Sequence, residues 1–344
     1  MKKYKVAVLG ATGMVGQKFI QMLSGHPWFK LSSIAASERR VGKVYSEEVN
    51  WVVSANIPET ARNMEMLPLD PKKIDADIAF SALPSGVARQ VEPEFAENGF
   101  VVASNASAYR MEKDVPLMIP EVNPDHLGLI DVQKKKRGWD GFIVTNPNCT
   151  TIMFVITLKP LLDLGLKDIK VATMQGLSGA GSPGVPSLAI TDNIIPYIRG
   201  EEEKVEEEPL KLLGKFNGKE IVSAPIRVSA SCHRVPVIDG HTEVVWTQFD
   251  RKIEVGDVID AFNSVETLGL PTSPEKVIIV RDEEDRPQPR LDRDEGDGMS
   301  ITVGRIRKDG DSSIKYITMG HNTVRGAAGA SILNAELMIK EKLI

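Results

Sequence analysis

Cys149 is one of only two cysteines in the chain, and it lies in "IVTNPNCTTIMF". The run before it ends like a strand and the run after it begins like a helix. A thiolate is the nucleophilic form of cysteine, and a helix N-terminus favours it. Backbone N–H groups at such a place also stabilise an oxyanion. The setting allows covalent catalysis, and position alone leaves the plainer reading of a small core cysteine equally open. Cys232, in "SASCHRVP", has no such setting and reads as structural. A thiol enzyme also needs a group to handle protons. Of the five histidines, His26 precedes Pro27 in a loop, His126 in "NPDHLG" reads as a cap, and His321 borders the last helical stretch. His233 and His241 remain, in "SCHRVPVIDGHTEVV". His241 follows Asp239-Gly240 at the mouth of a strand and can face a cleft, while His233 adjoins a polar strand end. Composition leaves both open.

A second constellation stands near the amino terminus. "VAVLGATGMVG" gives an apolar strand, then Gly10, Gly13 and Gly16, then a helix. Glycines there permit a tight turn, close approach of backbone to a pyrophosphate, and close packing of helix on strand. Free N–H groups at the helix start favour a bound anion. About 20 residues further on, an NAD enzyme usually has an acid for the ribose hydroxyls. Here "AASERRVG" offers Ser37, Arg39 and Arg40, which suit a 2′-phosphate and favour NADP. Glu38 is the contrary residue, since an inward-facing carboxylate would serve NAD.

These residues need elements to hold them. Before position 149, short apolar runs alternate with helical patterns: strands are expected at 5–9, 31–36, 78–81, 100–104 and 142–145, with helices clearest over 14–23 and 88–98. Such alternation predicts right-handed crossovers and a mostly parallel sheet. After Asp168, "DIKVATMQ", "TEVVWTQF", "KVIIV", "SITVGRIR" and "SIKYITM" read as strands, several with the alternation of a sheet covered on one face. Residues 308–311 read as the hairpin turn between the last two. From 323 to 343 the chain is helical again, with small residues early ("RGAAGAS") suited to close packing. The expected fold is α/β: a Rossmann-type parallel-sheet domain over 1–148, completed by the C-terminal helix 322–344. An α+β domain with a mostly antiparallel sheet follows over 149–321.

Composition narrows the partners. At 42% hydrophobic and 26% charged the 344 residues are ordinary globular material, with length for two cores. A formal charge of −5 argues against nucleic acid or an anionic membrane as partner. No stretch approaches the ~18 apolar residues of a membrane helix, and two cysteines make no disulfide framework, so the chain reads as cytoplasmic. "KKKR" at 134–137 reads as a solvated loop, and "EEEKVEEE" at 201–208 as a solvated helix or loop face. No histidine or cysteine spacing suggests a metal.

Over its whole length the sequence resembles aspartate-semialdehyde dehydrogenases of the archaeal and fungal branch. The resemblance is carried together by "GATGMVGQ", "SALPS", "SNASAYRM", "IPEVNPDHL", "NPNCTT", "QGLSGAG", "RVPVIDGHTE", "RDEEDRPQPRLD" and "VRGAAGASILNAE". It implies Cys149 as nucleophile, Gln175 as substrate-orienting residue, Arg234 as carboxylate ligand and His241 as acid/base shuttle. It implies Arg110 at the phosphate site, and Glu208 and Lys211 near the substrate, which lifts the end of the acidic run out of the solvated reading. It adds Thr12, Met14, Val15, Ser81, Ser178, Gly179 and Asn322 to the NADP site. The implied chemistry is reversible, NADPH-dependent reductive dephosphorylation of L-aspartyl-4-phosphate through a thioester, with phosphate released. Lysine (through diaminopimelate), threonine and methionine synthesis lie downstream, and a homodimer or homotetramer is implied. Malonyl-CoA reductases and N-acetyl-gamma-glutamyl-phosphate reductases share the architecture and are the alternatives.

Overall fold

A computed structural model describes residues 3–344. Its first sheet holds β1 (Tyr4–Leu9), β2 (Phe29–Ala35), β3 (Ile78–Ser81), β4 (Val101–Ser104) and β5 (Phe142–Thr145), in the order β2-β1-β3-β4-β5. All four pairings are parallel. Both faces are covered, which is why these strands are apolar without alternation. Val6 and Val8 pack with Phe19 and Ile20 of the first helix (Met14–Leu23) and with Ile332 and Leu333 of the last one (Gly329–Lys340). Ala7 and Leu9 face the other way, onto Ala88, Phe95 and Ala96 of the helix Ser85–Glu97. The C-terminal helix thus returns to the first sheet. Strand order reverses between β1 and β3, where open α/β sheets form their ligand crevice.

The second sheet is built from β6 (Leu166–Gln175), β9 (Arg227–Arg234), β10 (His241–Phe249), β11 (Ile278–Val280), β12 (Ile301–Gly310) and β13 (Ser313–Gly320). β7 (Lys215–Phe216) and β8 (Ile221–Val222) form a separate small pair. The six strands run in the order β11-β12-β13-β10-β6-β9. The sheet is mixed: β11–β12 and β6–β9 pair in parallel and the other three pairs are antiparallel. One face is covered by the helix Cys149–Leu161, whose Ile152, Val155 and Ile156 share a core with Val171, Val245 and Tyr316. That helix is apolar nearly all round and lies buried in the interior, as such a helix must.

Three expectations need correction. The turn between β12 and β13 is Asp311-Ser312, not 308–311, because the ladder slips past two irregularities and continues to Gly310 opposite Ser313. "KKKR" is the last turn of a helix (Leu129–Arg137), where basic side chains suit the carbonyl end, and Lys136 and Arg137 pair with the buried Asp114. The acidic run opens a helix (Glu201–Leu212) that is buried along one face, with Glu201, Val205, Glu208 and Leu212 inside. No described helix is long and apolar enough to cross a membrane.

Candidate active site

Cys149 is the first residue of its helix, and Asn148 caps it by accepting the N–H groups of Thr150 and Thr151 at 2.8 and 3.1 Å. Asn148 is itself held by two carboxylates. Its N–H donates to Glu208 at 2.6 Å, and its side-chain amide donates to Glu201 at 2.9 Å. Those glutamates stand two turns apart on one face of their helix. Glu208 also accepts from Arg110 at 3.0 Å, so both its oxygens are engaged within the protein. Lys211 donates from Nζ to the carbonyls of Arg110, Glu112 and Val115 at 2.7, 2.7 and 2.8 Å. An ammonium has three protons, so Lys211 fixes the loop bearing Arg110 and presents no free donor to a ligand.

Three strand ends complete the arrangement. Gln175 closes β6 and lies in register with His241 at the start of β10 and with Arg234 at the end of β9. His241 Nε2 sits 3.3 Å from Cys149 Sγ, and its Nδ1 accepts the Gly176 N–H at 3.0 Å. The structure thereby separates the two open histidines, since His233 contacts the Thr173 carbonyl instead. Arg234 donates to the Gly176 carbonyl at 2.7 Å. The chain reaches His241 through Gly240 at φ +103, a conformation that a side chain resists. Cys232 is fully buried in the second core.

The electrostatics differ from the expectation of an activated thiol. Burial, helped by the Glu201 carboxylate, pushes the Cys149 thiol up to about 12, against the pull of Arg110 and Arg234. Burial also brings the His241 imidazole down to about 4, although Glu201 acts to raise it. Loss of hydration opposes the helix N-terminus here, and because Cys149 stays half-buried at the edge of a cleft the two effects compete. Glu243, two residues along β10, is fully buried with neither carboxyl oxygen paired, and burial, with the Glu201 carboxylate, pushes its pKa well above the usual carboxylate range.

Cys149, Arg110 and Arg234 border one cleft of about 740 Å³, together with Gly13, Met14, Val15, Ser178, Gly179 and Asn322. Gly10 stands at φ +80, and a Cβ on Gly16 would lie 2.3 Å from the Gly10 carbonyl oxygen, so the first helix packs directly on the turn. That helix has no acid in its first turn and no side-chain cap, leaving its N-terminal amides open to an anion. Arg40 donates to Thr12 at 2.6 Å, while Ser37 and Arg39 are exposed on the turn after β2. Asn322 joins Ser178 at 2.8 Å to the Gly240 N–H at 2.8 Å. These features fit a dinucleotide phosphate. Ser81 is fully buried beside Glu92, and the residues that follow it, Ala82 to Ser85, line the cleft.

Sequence reasoning missed Glu201, Asn148, Gly176 and Gly326. A signal for Glu201 was present, because Val205 and Leu212 fall on the same helical stripe as Glu201 and Glu208. Gly326 lies in a π-helical turn (Val324–Ala328) pressed against the nucleophile, and a Cβ there would stand 2.7 Å from that of Cys149.

Residues 5–130 match the semialdehyde dehydrogenase NAD binding domain, and residues 158–325 match the semialdehyde dehydrogenase dimerisation domain. The class is thus that of the semialdehyde dehydrogenases. An aspartate-semialdehyde dehydrogenase of Archaeoglobus fulgidus is 75% identical over 342 residues, covering 99% of this chain and 100% of that one. The chain belongs to the aspartate-semialdehyde dehydrogenase family. The crystal structure of the Candida albicans aspartate-semialdehyde dehydrogenase with NADP has a TM-score of 0.91 at 41% identity, covering 100% of each chain. A malonyl CoA reductase (NADP) of Metallosphaera sedula is 43% identical over 350 residues, covering 99% of this chain and 98% of that one.

Proposed function

We propose that this protein catalyses the reversible, NADPH-dependent conversion of L-aspartyl-4-phosphate to L-aspartate-4-semialdehyde and phosphate. The observation that carries the reading is that two guanidinium groups, Arg110 and Arg234, border the same cleft as Cys149. A substrate with a carboxylate at one end and an acyl phosphate at the other has one anion for each. Arg234 takes the carboxylate, and Arg110 takes the phosphate. Cys149 attacks the acyl carbon, and a thioester forms as phosphate leaves. A bound NADPH supplies the hydride that reduces the acyl carbon. The first-helix amides after Gly13 would hold its pyrophosphate, and Thr12, Ser37, Arg39 and Arg40 its 2′-phosphate. Of the two glutamates, only Glu201 borders the cleft, and it is placed to receive the substrate's ammonium.

Residues 1–148 with 322–344 form the nucleotide domain in this reading, and 149–321 the catalytic one. The face of the second sheet away from the Cys149–Leu161 helix carries half-buried Trp246 and exposed Ser229, Ser231 and Lys170, and is the surface on which two copies would dimerise. The enzyme would act in the cytoplasm, upstream of lysine, threonine and methionine.

The second reading is malonyl-CoA reduction, favoured by the Metallosphaera relative. Purified enzyme is assayed for NADP reduction with semialdehyde and phosphate, and for NADPH oxidation with malonyl-CoA. Phosphate-dependent turnover is expected to dominate. Turnover with malonyl-CoA alone would overturn the aspartyl assignment.

A further inference from the structure

Glu208 is buried behind the cleft and does not border it. Its two oxygens meet two donors from distant parts of the chain. Oε1 accepts Arg110 Nη1 at 3.0 Å, and Oε2 accepts the Asn148 N–H at 2.6 Å. Arg110 and Asn148 do border the cleft, one as the guanidinium placed for phosphate and the other as the cap of the Cys149 helix. An ionised carboxylate only accepts, through both oxygens, so it satisfies the two donors together. A glutamine would offer an oxygen to one donor and an NH₂ group to the other.

Arg110 is held by more than this carboxylate. Its Nη2 donates to the Asn105 carbonyl at 2.8 Å, and its own carbonyl is one of the three that Lys211 fixes. Its Nε–H meets no partner within the protein, so the guanidinium keeps donors for an anion. The charge of Glu208 is therefore not needed to place Arg110. It offsets Arg110 instead: a phosphate that reaches the guanidinium meets an ion pair rather than a bare cation, and is held less tightly.

We infer that Glu208 is a positioning residue with two separable effects. Its reach ties the phosphate-binding guanidinium to the cap of the nucleophile's helix, and its charge keeps phosphate held weakly enough to leave. The inference rests on the reading of Arg110 as the phosphate ligand. It replaces the place near the substrate that the resemblance implied for Glu208. In the reductive direction weak binding speeds release of product phosphate, and in the reverse direction it raises the phosphate concentration that the enzyme needs.

Reach and charge are separated by two variants of the full-length enzyme. Glu208→Gln keeps the length and removes the charge, whereas Glu208→Asp keeps the charge and lacks the reach. Binding of inorganic phosphate is measured by titration calorimetry, and kcat and the KM for phosphate in the assay with semialdehyde and NADP. Glu208→Gln is expected to bind phosphate about tenfold more tightly and to lose about tenfold in kcat. Glu208→Asp is expected to bind phosphate within about threefold of wild type while losing kcat to a similar degree. A merely structural role would weaken phosphate binding in both. Unchanged or weaker phosphate binding in Glu208→Gln overturns the proposal, and so does a wild-type kcat in either variant. If circular dichroism shows that Glu208→Gln does not fold, Glu208→Asp decides alone: a change of more than about threefold in phosphate affinity, or a wild-type kcat, overturns it. The calorimetry needs no turnover. A wild-type enzyme that binds no phosphate, or an Arg110→Ala variant that binds it unchanged, refutes the reading of Arg110 beneath the proposal, a failure distinct from any Glu208 result.

Discussion

Gly326→Ala tests how tightly the nucleophile is held. The new Cβ would lie 2.7 Å from Cys149 Cβ and 3.1 Å from its Cα. Carbon atoms rest at about 3.5–4.0 Å, so one partner must retreat by about 1 Å. The π-helical turn resists, because the fully buried Arg325 is anchored to Glu121 by two bonds of 2.8 and 2.7 Å. Gly326 itself donates to the His321 carbonyl at 3.0 Å. The shift therefore falls on Cys149 and its 3.3 Å contact with His241. A misplacement of about 1 Å costs about 100-fold in rate. Overpacking of this kind destabilises by about 1–3 kcal/mol. The expected outcome is kcat/KM down about 100-fold in the phosphate-dependent assay, with NADP affinity within about twofold. Gly329→Ala is the comparison, since its Cβ would meet the flexible side chains of Met299 and Met22 and, at 3.1 Å, the Val324 carbonyl oxygen, but no atom of Cys149 among its nearest contacts. It should lower the melting temperature and spare the rate. Wild-type kinetics in Gly326→Ala, or equal losses in both variants, would refute the reasoning.

Cys149→Ser is expected to abolish turnover while fluorescence titration still shows NADPH binding, because a neutral hydroxyl is a far weaker nucleophile. Cys232→Ser should keep its activity and lose stability in thermal melts, since its sulfur is fully buried in the second core. Arg40→Ala should raise the KM for NADP by more than about tenfold, or about 1.4 kcal/mol if kcat holds, and leave NAD use unchanged. Arg39→Ala should follow it. Equal losses with both cofactors would remove these arginines from the 2′-phosphate.

The first sheet was legible because burial on both faces writes a strand as an unbroken apolar run. β3 and β5 fall where those runs lie, and only the ends of β1, β2 and β4 shift by a residue or two. The convergence of Cys149 and His241 was legible through resemblance alone. Spacing could not choose between His233 and His241, because the choice depends on which strand end adjoins the cysteine helix. Lys211 shows the opposite limit. Its residue type suits an anion, yet three carbonyls of a loop about a hundred positions away consume its protons. The acidic run hid Glu201 because composition averages a helix over its faces, whereas burial acts on one stripe. Nor does a helix start announce that its thiol will be desolvated. That depends on what packs around it, including a π-helical turn from a segment far along the chain.

The surroundings of the Cys149–His241 pair bear on substrate choice. Arg110 is paired with the Glu208 carboxylate, whereas Arg234 donates to the neutral Gly176 carbonyl and keeps its charge, and both pull the thiol pKa down against burial. An anionic substrate adds no positive charge, so binding it does not lower the thiol pKa further by attraction. The thiol proton has two acceptors within reach, the His241 ring at 3.3 Å and whatever basic atoms the substrate brings. An acyl phosphate brings basic phosphoryl oxygens bonded to the very carbon that the sulfur attacks, so the leaving group is also the base. An acyl-CoA brings only a thioester sulfur, which is a poor base until the carbon–sulfur bond has broken. An acyl phosphate thus offers a second proton acceptor that an acyl thioester lacks, independently of the arginines that bind the two ends.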